Sequence, residues 1–133
     1  MSKNDFIALS EPNITGNAWK YVKECLDTGW VSSAGSYVET FEKKLCAYTG
    51  AKYAVAVVNG TSGLQIALQL SGVTTGDEVI VPTLTFIAPV NAVRYLGAEP
   101  VFMDCDNFMN LDPVKLGEFL ETSCRKTAKG TIN

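Results

Sequence analysis

Hydrophobic positions change their period along the chain, and the changes mark out its elements. Ala18, Val22, Cys25 and Leu26 recur at helical spacing before Gly29, so a helix is expected over residues 15–28. Ser36-Tyr37-Val38-Glu39 has the form of a capping box opening a second helix. Val38, Phe41, Leu45 and Tyr48 would be its buried stripe, and Gly50 its end. Then the period shifts. Tyr53 to Val58 is a continuous apolar run with three valines, the pattern of a strand covered on both faces in a parallel sheet. Asn59-Gly60 breaks the run, Thr61 and Ser62 can cap a third helix, and Leu64, Ala67 and Leu68 restore helical spacing up to Gly72. A second apolar strand is expected from Glu78 to Val81, closed by Pro82. A helix is expected from about Ile87 to Leu96, with Pro89 in its first turn, and a third strand from Pro100 to Met103. Asp112-Pro113 opens a last helix to about Glu121. The tail from Thr122 to Asn133 is polar and carries Arg125, Lys126 and Lys129.

Strand and helix alternate from Tyr53 onward, which predicts an α/β fold with a parallel sheet. Ligands in such sheets bind at the carboxyl ends of strands. Three segments fall there: residues 59–63, 83–88 and 104–106. The first is a strand, a small-residue turn and a helix. The leading N–H groups of that helix have no internal partner and lie at the positive end of its dipole, which suits a phosphate. The turn is neither a Walker loop nor a GxGxxG fingerprint, and an ordinary turn that binds nothing fits the same residues. Phe86, on the adjacent connection, either holds a flat phosphorylated cofactor or fills the core at a helix start. Asp104 and Asp106 without further partners are weak as a metal site. Residues 29–35, Gly-Trp-Val-Ser-Ser-Ala-Gly, surround one large aromatic with small residues. They read either as a connector with Trp30 tucked inward or as a loop approaching a ligand.

Composition narrows the classes. The chain has 133 residues and 47% hydrophobic side chains, enough for one core. A net charge of −3 gives no general attraction to nucleic acid. No apolar run is long enough to span a bilayer, and the amino-terminal MSKNDFIALS lacks the apolar core of a signal peptide. A cytoplasmic protein is expected, in which Cys25, Cys46, Cys105 and Cys124, scattered and without a CxxC pair, would be reduced. Histidine is absent, which removes His-based triads, His metal sites and a His general base from these residues.

Four segments in order, GWVSSAGSYVETFEKKL, AVVNGTSGLQIAL, GDEVIVPTLTFIAPVNAV and GAEPVFMDCD, resemble the amino-terminal part of the DegT/DnrJ/StrS-type sugar-nucleotide aminotransferases. These are fold-type I enzymes dependent on pyridoxal 5'-phosphate (PLP). The resemblance covers about Ile14 to Leu120. It implies part of a three-layer α/β/α large domain, with residues 1–35 as an amino-terminal arm and helix and 36–133 as an incomplete PLP-binding domain. The form VSSAG looks most like the legionaminic-acid-type 4-aminotransferases. Their substrates are nucleotide-linked 4-keto-6-deoxy-sugars, with glutamate the expected amine donor, in surface-polysaccharide, nonulosonic-acid or amino-sugar biosynthesis. By resemblance, Gly60, Thr61 and Ser62 bind the PLP phosphate, Phe86 stacks on the pyridine ring, and Trp30, Ser32 and Ser33 border the sugar pocket. The family's Schiff-base lysine and the aspartate facing the pyridine nitrogen have no counterpart in these residues. The resemblance therefore implies a fragment that is inactive alone and part of a homodimer when whole.

The same resemblance implies a folding difficulty. The first strand of a fold-type I sheet lies at one edge, and the next two lie near the other. Val55, Val57, Val79 and Val81 would then lose cover, and each large side chain is worth roughly 1.5–3 kcal/mol when buried. A few such losses equal a domain's stability, so an aggregation-prone product is expected. Two other readings remain open: a related PLP sugar dehydratase with histidine in place of the lysine, and a complete, non-enzymatic phosphate-binding module.

Overall fold

The computed structural model describes residues 7–127 and 130–133. The start of the expected amino-terminal arm and Lys129 lie outside the described residues. The chain forms two compact units, Met1–Ala56 and Val57–Asn133.

The first unit holds α1 (Ala18–Thr28) and α2 (Ser36–Thr49). Helix α1 ends as its sequence predicts: Gly29 takes a left-handed conformation (φ 75°) and donates its N–H to the Leu26 carbonyl. The expected capping box does not form. Gly35 is the N-cap of α2 and Ser36 is already its first helical residue, so the Ser36 hydroxyl is one position too late to cap. Glu39 pairs with Lys43 at 3.5 Å instead. Tyr37 Oη donates to Glu24 Oε2 at 2.7 Å, and the rings of Tyr21 and Tyr37 lie 5.0 Å apart, so α1 and α2 are clasped together. The apolar stripes exist, but none of their residues is buried; Phe41, Leu45 and Tyr48 are exposed.

The apolar run from Tyr53 to Val58 corrects a second expectation. It carries no strand ladder, and Tyr53, Val55, Val57 and Val58 are exposed. An extended segment becomes a strand only when a neighbouring backbone takes its N–H and C=O groups. Among the described residues none does. Ala56 N–H donates instead to a side chain, Glu42 Oε1, at 2.8 Å.

The second unit contains α3 (Gly60–Leu70), β1 (Glu78–Pro82), α4 (Ile87–Tyr95), β2 (Glu99–Met103), α5 (Pro113–Thr122), β3 (Arg125–Thr127) and β4 (Gly130–Ile132). Strands β1 and β2 pair in parallel with Val79 opposite Pro100, Ile80 opposite Val101 and Val81 opposite Phe102. Helix α4 makes the crossover between them and packs on α3. The core is Val81, Val93 and Ala98, with Leu68, Val73, Val79 and Val90 packed around it. Helix α5 begins as predicted. Asp112 Oδ1 accepts from Val114 N–H at 2.9 Å and Lys115 N–H at 3.2 Å, with Pro113 in the first turn. In the polar tail the sequence pattern held no sign of β3 and β4, which form an antiparallel pair with Lys126 opposite Thr131. The α/β class and parallel pairing agree with the expected fold. No helix among the described residues is long and apolar enough to cross a membrane.

Candidate functional site

In the second unit the candidate site is built from two helix starts and one strand edge. Helix α3 begins at Gly60, and its N-cap is Asn59, not the expected Thr61 or Ser62. Asn59 has extended backbone and its Oδ1 accepts the Ser62 N–H at 2.9 Å. Asparagine is among the strongest N-cap residues, so Asn59 was recognisable in the sequence as the cap. The Asn59 carbonyl takes the Gly63 N–H at 3.2 Å. These bonds leave the Gly60 and Thr61 N–H groups at the open end of the helix, while Ser62 N–H would have to exchange Asn59 for a ligand oxygen.

This turn fits a phosphate. A Cβ at Gly60 would meet no heavy atom within 4 Å, so the space over its backbone is open to close approach. Gly63 is different: a Cβ there would lie 3.3 Å from Val57 Cγ2, so this glycine lets the preceding segment pack against α3. The helix dipole and the N–H groups favour an anion at Gly60 and Thr61.

Phe86 is the N-cap of α4, with extended backbone (φ −65°, ψ 159°). The residue is 86% exposed, which removes the core reading and leaves the ring accessible. Because β1 and β2 are parallel, their carboxyl ends share one edge, and residues 83–86 and 104–106 both start there. Thr83 N–H continues the pairing by donating to the Met103 carbonyl at 2.9 Å.

The loop after β2 is ordered by its own carboxylates. Asp104 Oδ2 accepts from Lys115 Nζ at 2.7 Å, and Oδ1 accepts from Cys105 N–H at 2.9 Å. These bonds hold the Asp104 carboxyl below its ordinary range, the Lys115 bond contributing most, and they raise the Lys115 ammonium in turn. Asp106 Oδ1 accepts from Phe108 N–H at 2.9 Å and Asn110 N–H at 3.0 Å. Both aspartates are thus occupied in shaping the turn. Lys115, eleven positions from Asp104, was not identifiable as its partner from spacing.

In the first unit, the loop from Gly29 to Gly35 borders a cavity of about 330 Å³ at the junction of α1 and α2. Trp30 and Ser32 line it, together with Glu24, Gly35 and Tyr37; Ser33 is not among the lining residues. Trp30 is 62% exposed rather than tucked inward. The Glu24 carboxylate accepting from Tyr37 pushes the phenol up from 10.0 to about 12.

Residues 12–127 match the DegT/DnrJ/EryC1/StrS aminotransferase family. The chain is 50% identical over 102 residues to a GDP-perosamine synthase of Escherichia coli O157:H7, covering 77% of this chain and 28% of that protein. It therefore spans under a third of the length of this curated relative. A sugar aminotransferase of Streptococcus pneumoniae in its PLP form superposes with a TM-score of 0.76 at 31% identity, over 84% of this chain and 29% of that one. A GDP-4-keto-6-deoxymannose-3-dehydratase superposes with a TM-score of 0.73 at 25% identity, over 84% and 30%. The family is PLP-dependent, and an open helix start with an exposed aromatic side chain on the next helix start is compatible with such a cofactor. By the extent of the family match and the agreement in fold, this chain belongs to the DegT/DnrJ/EryC1/StrS aminotransferase family.

Proposed function

We propose that this chain supplies the phosphate-binding and ring-stacking part of an aminotransferase that converts a nucleotide-linked 4-keto-6-deoxy-sugar to the 4-amino sugar, with glutamate as donor. The observation that carries the reading is the start of α3, where Gly60 leaves open space beside helix N–H groups. Gly60 and Thr61 would hold the phosphate through backbone N–H groups, and Thr61 and Ser62 would add hydroxyls. Phe86 would cover one face of the ring. PLP, when bound, supplies the electron-accepting ring for amine transfer. The similarity to a GDP-perosamine synthase favours GDP as the nucleotide to test first. Trp30, Ser32 and Ser33 are the residues we assign to the sugar nucleotide. The whole enzyme is read as a cytoplasmic homodimer.

The test compares PLP with pyridoxal, which lacks the phosphate. Binding is followed by cofactor absorbance in the wild-type chain, Gly60→Val and Phe86→Ala. We expect PLP to be preferred, Gly60→Val to erase the preference, and Phe86→Ala to weaken both ligands alike. Equal binding of PLP and pyridoxal by the wild type would sink the phosphate assignment. The family's Schiff-base lysine and pyridine-nitrogen aspartate have no counterpart in residues 1–133. These residues alone are therefore expected not to transfer an amine from glutamate to GDP-4-keto-6-deoxymannose.

A second reading is favoured by the superposition on the 3-dehydratase. In that case the protein containing this chain would remove the sugar's 3-hydroxyl rather than install an amine. Mass analysis of the sugar product separates the two.

A further inference from the structure

The loop from Gly29 to Gly35 is fixed at both ends by features that substrate contact does not itself require. Beneath it, the Tyr37–Glu24 hydrogen bond and the Tyr21–Tyr37 ring pair set the spacing of α1 and α2. At its far end Gly35 has φ 150° and ψ 162°, a backbone region essentially confined to glycine. The Gly35 carbonyl accepts from Val38 N–H at 3.1 Å and Glu39 N–H at 3.3 Å, so this residue is also tied into the first turn of α2. A Cβ built on Gly35 would lie 3.8 Å from both Trp30 Cβ and Cε3. That is ordinary contact, so room for a methyl group exists. What an L-residue cannot meet is the backbone angle. With the carbonyl held by α2, relief of that angle must fall on the amino-terminal side, where the loop carries Trp30.

We propose that Gly35 is a positioning residue: its glycine-only backbone holds the Trp30 indole at the mouth of the cavity between α1 and α2, where a sugar nucleotide meets it. The inference rests on the substrate reading of this loop given above. It makes the handedness of the backbone at position 35 decisive, not the lack of a side chain. D-Alanine carries the same methyl group as L-alanine but favours positive φ.

The experiment uses the whole chain with Trp19→Phe, which leaves Trp30 as its single indole. Gly35→Ala is compared with D-alanine at the same position, introduced by ligating a synthetic 1–45 segment to 46–133 at Cys46. Without ligand, the glycine and D-alanine proteins should share the Trp30 emission maximum and anisotropy. Gly35→Ala should shift emission to longer wavelength and lower the anisotropy while helical circular dichroism is unchanged. A silent Gly35→Ala, or a D-alanine protein with an altered Trp30 signal, would overturn the proposal; the D-alanine result decides even if Gly35→Ala fails to fold. Titration with GDP-4-keto-6-deoxymannose should quench Trp30, with about tenfold weaker binding in Gly35→Ala only. No quenching in the glycine protein would remove Trp30 from the sugar-nucleotide site and overturn the ligand half of the proposal. The unliganded spectra would still decide whether Gly35 positions the indole.

Discussion

Two apolar runs of similar composition end up in opposite states. Residues 78–82 form β1, with Val81 only 4% exposed, whereas residues 53–58 carry no ladder and Val58 is 88% exposed. Both are rich in valine, and both lead through a turn into a helix. The difference lies in what each finds outside itself. Strand β1 pairs with β2 residue for residue and is covered by Val93 and Ala98 from α4 and the turn after it. The other run meets no backbone partner among the described residues. Apolar composition makes a strand possible; a ladder partner and a covering helix make it one.

The largest effect expected from this contrast is on charge insertion. Val81→Asp puts an unpaired carboxylate into the core and should cost about 4 kcal/mol or more, enough to unfold the second unit. Val58→Asp should change stability by about 0.5 kcal/mol at most. Urea denaturation of the two variants checks this, and equal losses would mean that residue 58 is covered in solution. Truncation comes next. Val93→Ala removes a side chain that is 1% exposed and should cost about 2 kcal/mol, while Val55→Ala should cost almost nothing. A Val55→Ala loss matching that of Val93→Ala would erase the distinction between the runs.

The helix caps near the two runs should matter less. Asn59→Ala and Asp112→Ala each remove a side chain that accepts helix N–H groups, and each should cost about 1 kcal/mol in thermal unfolding. Asn59→Ala also frees the Ser62 N–H, so it should bind PLP no worse than wild type; clear loss of binding would show that Asn59 does more than cap.

The smallest effect is on pH. Asp104, at the carboxyl end of the paired strand, has its acid strength increased by Lys115 and by Cys105 N–H. A carboxylate whose folded value is depressed contributes stability above its unfolded value, ordinarily 3.8, and loses it as pH falls through the folded value. Asp104 should therefore titrate below 3.8 by carbon-detected NMR, and Lys115→Met should move the midpoint upward. Because both side chains are well exposed, little stability is at stake.

Much of this was legible in the sequence because it depends on neighbours along the chain. The Asp112-Pro113 start of α5, the Gly29 end of α1 and the β1–α4–β2 crossover are local patterns of cap, breaker and period. The turn into α3 was legible for the same reason, since a glycine after an apolar run and before a helical stripe marks where the helix starts. The family was legible from four such motifs in order. The caps of α2 and α3 lie one or more residues before the positions their side chains suggest, because capping depends on which residue first takes helical angles. Ser36 lost the role to Gly35, and Thr61 and Ser62 lost it to Asn59.

The remaining features needed the tertiary structure. Whether Tyr53–Val58 is a strand depends on hydrogen-bond partners that no local pattern names. The exposure of Phe86 and Trp30 depends on what packs over them. The β3–β4 pair arises from cross-strand contacts in a segment with no apolar alternation. Where the backbone turns, stops and presents its N–H groups follows from adjacent residues, because those are local energies. Which apolar surfaces are covered follows from the fold, because burial and strand pairing are properties of residues far apart in the chain.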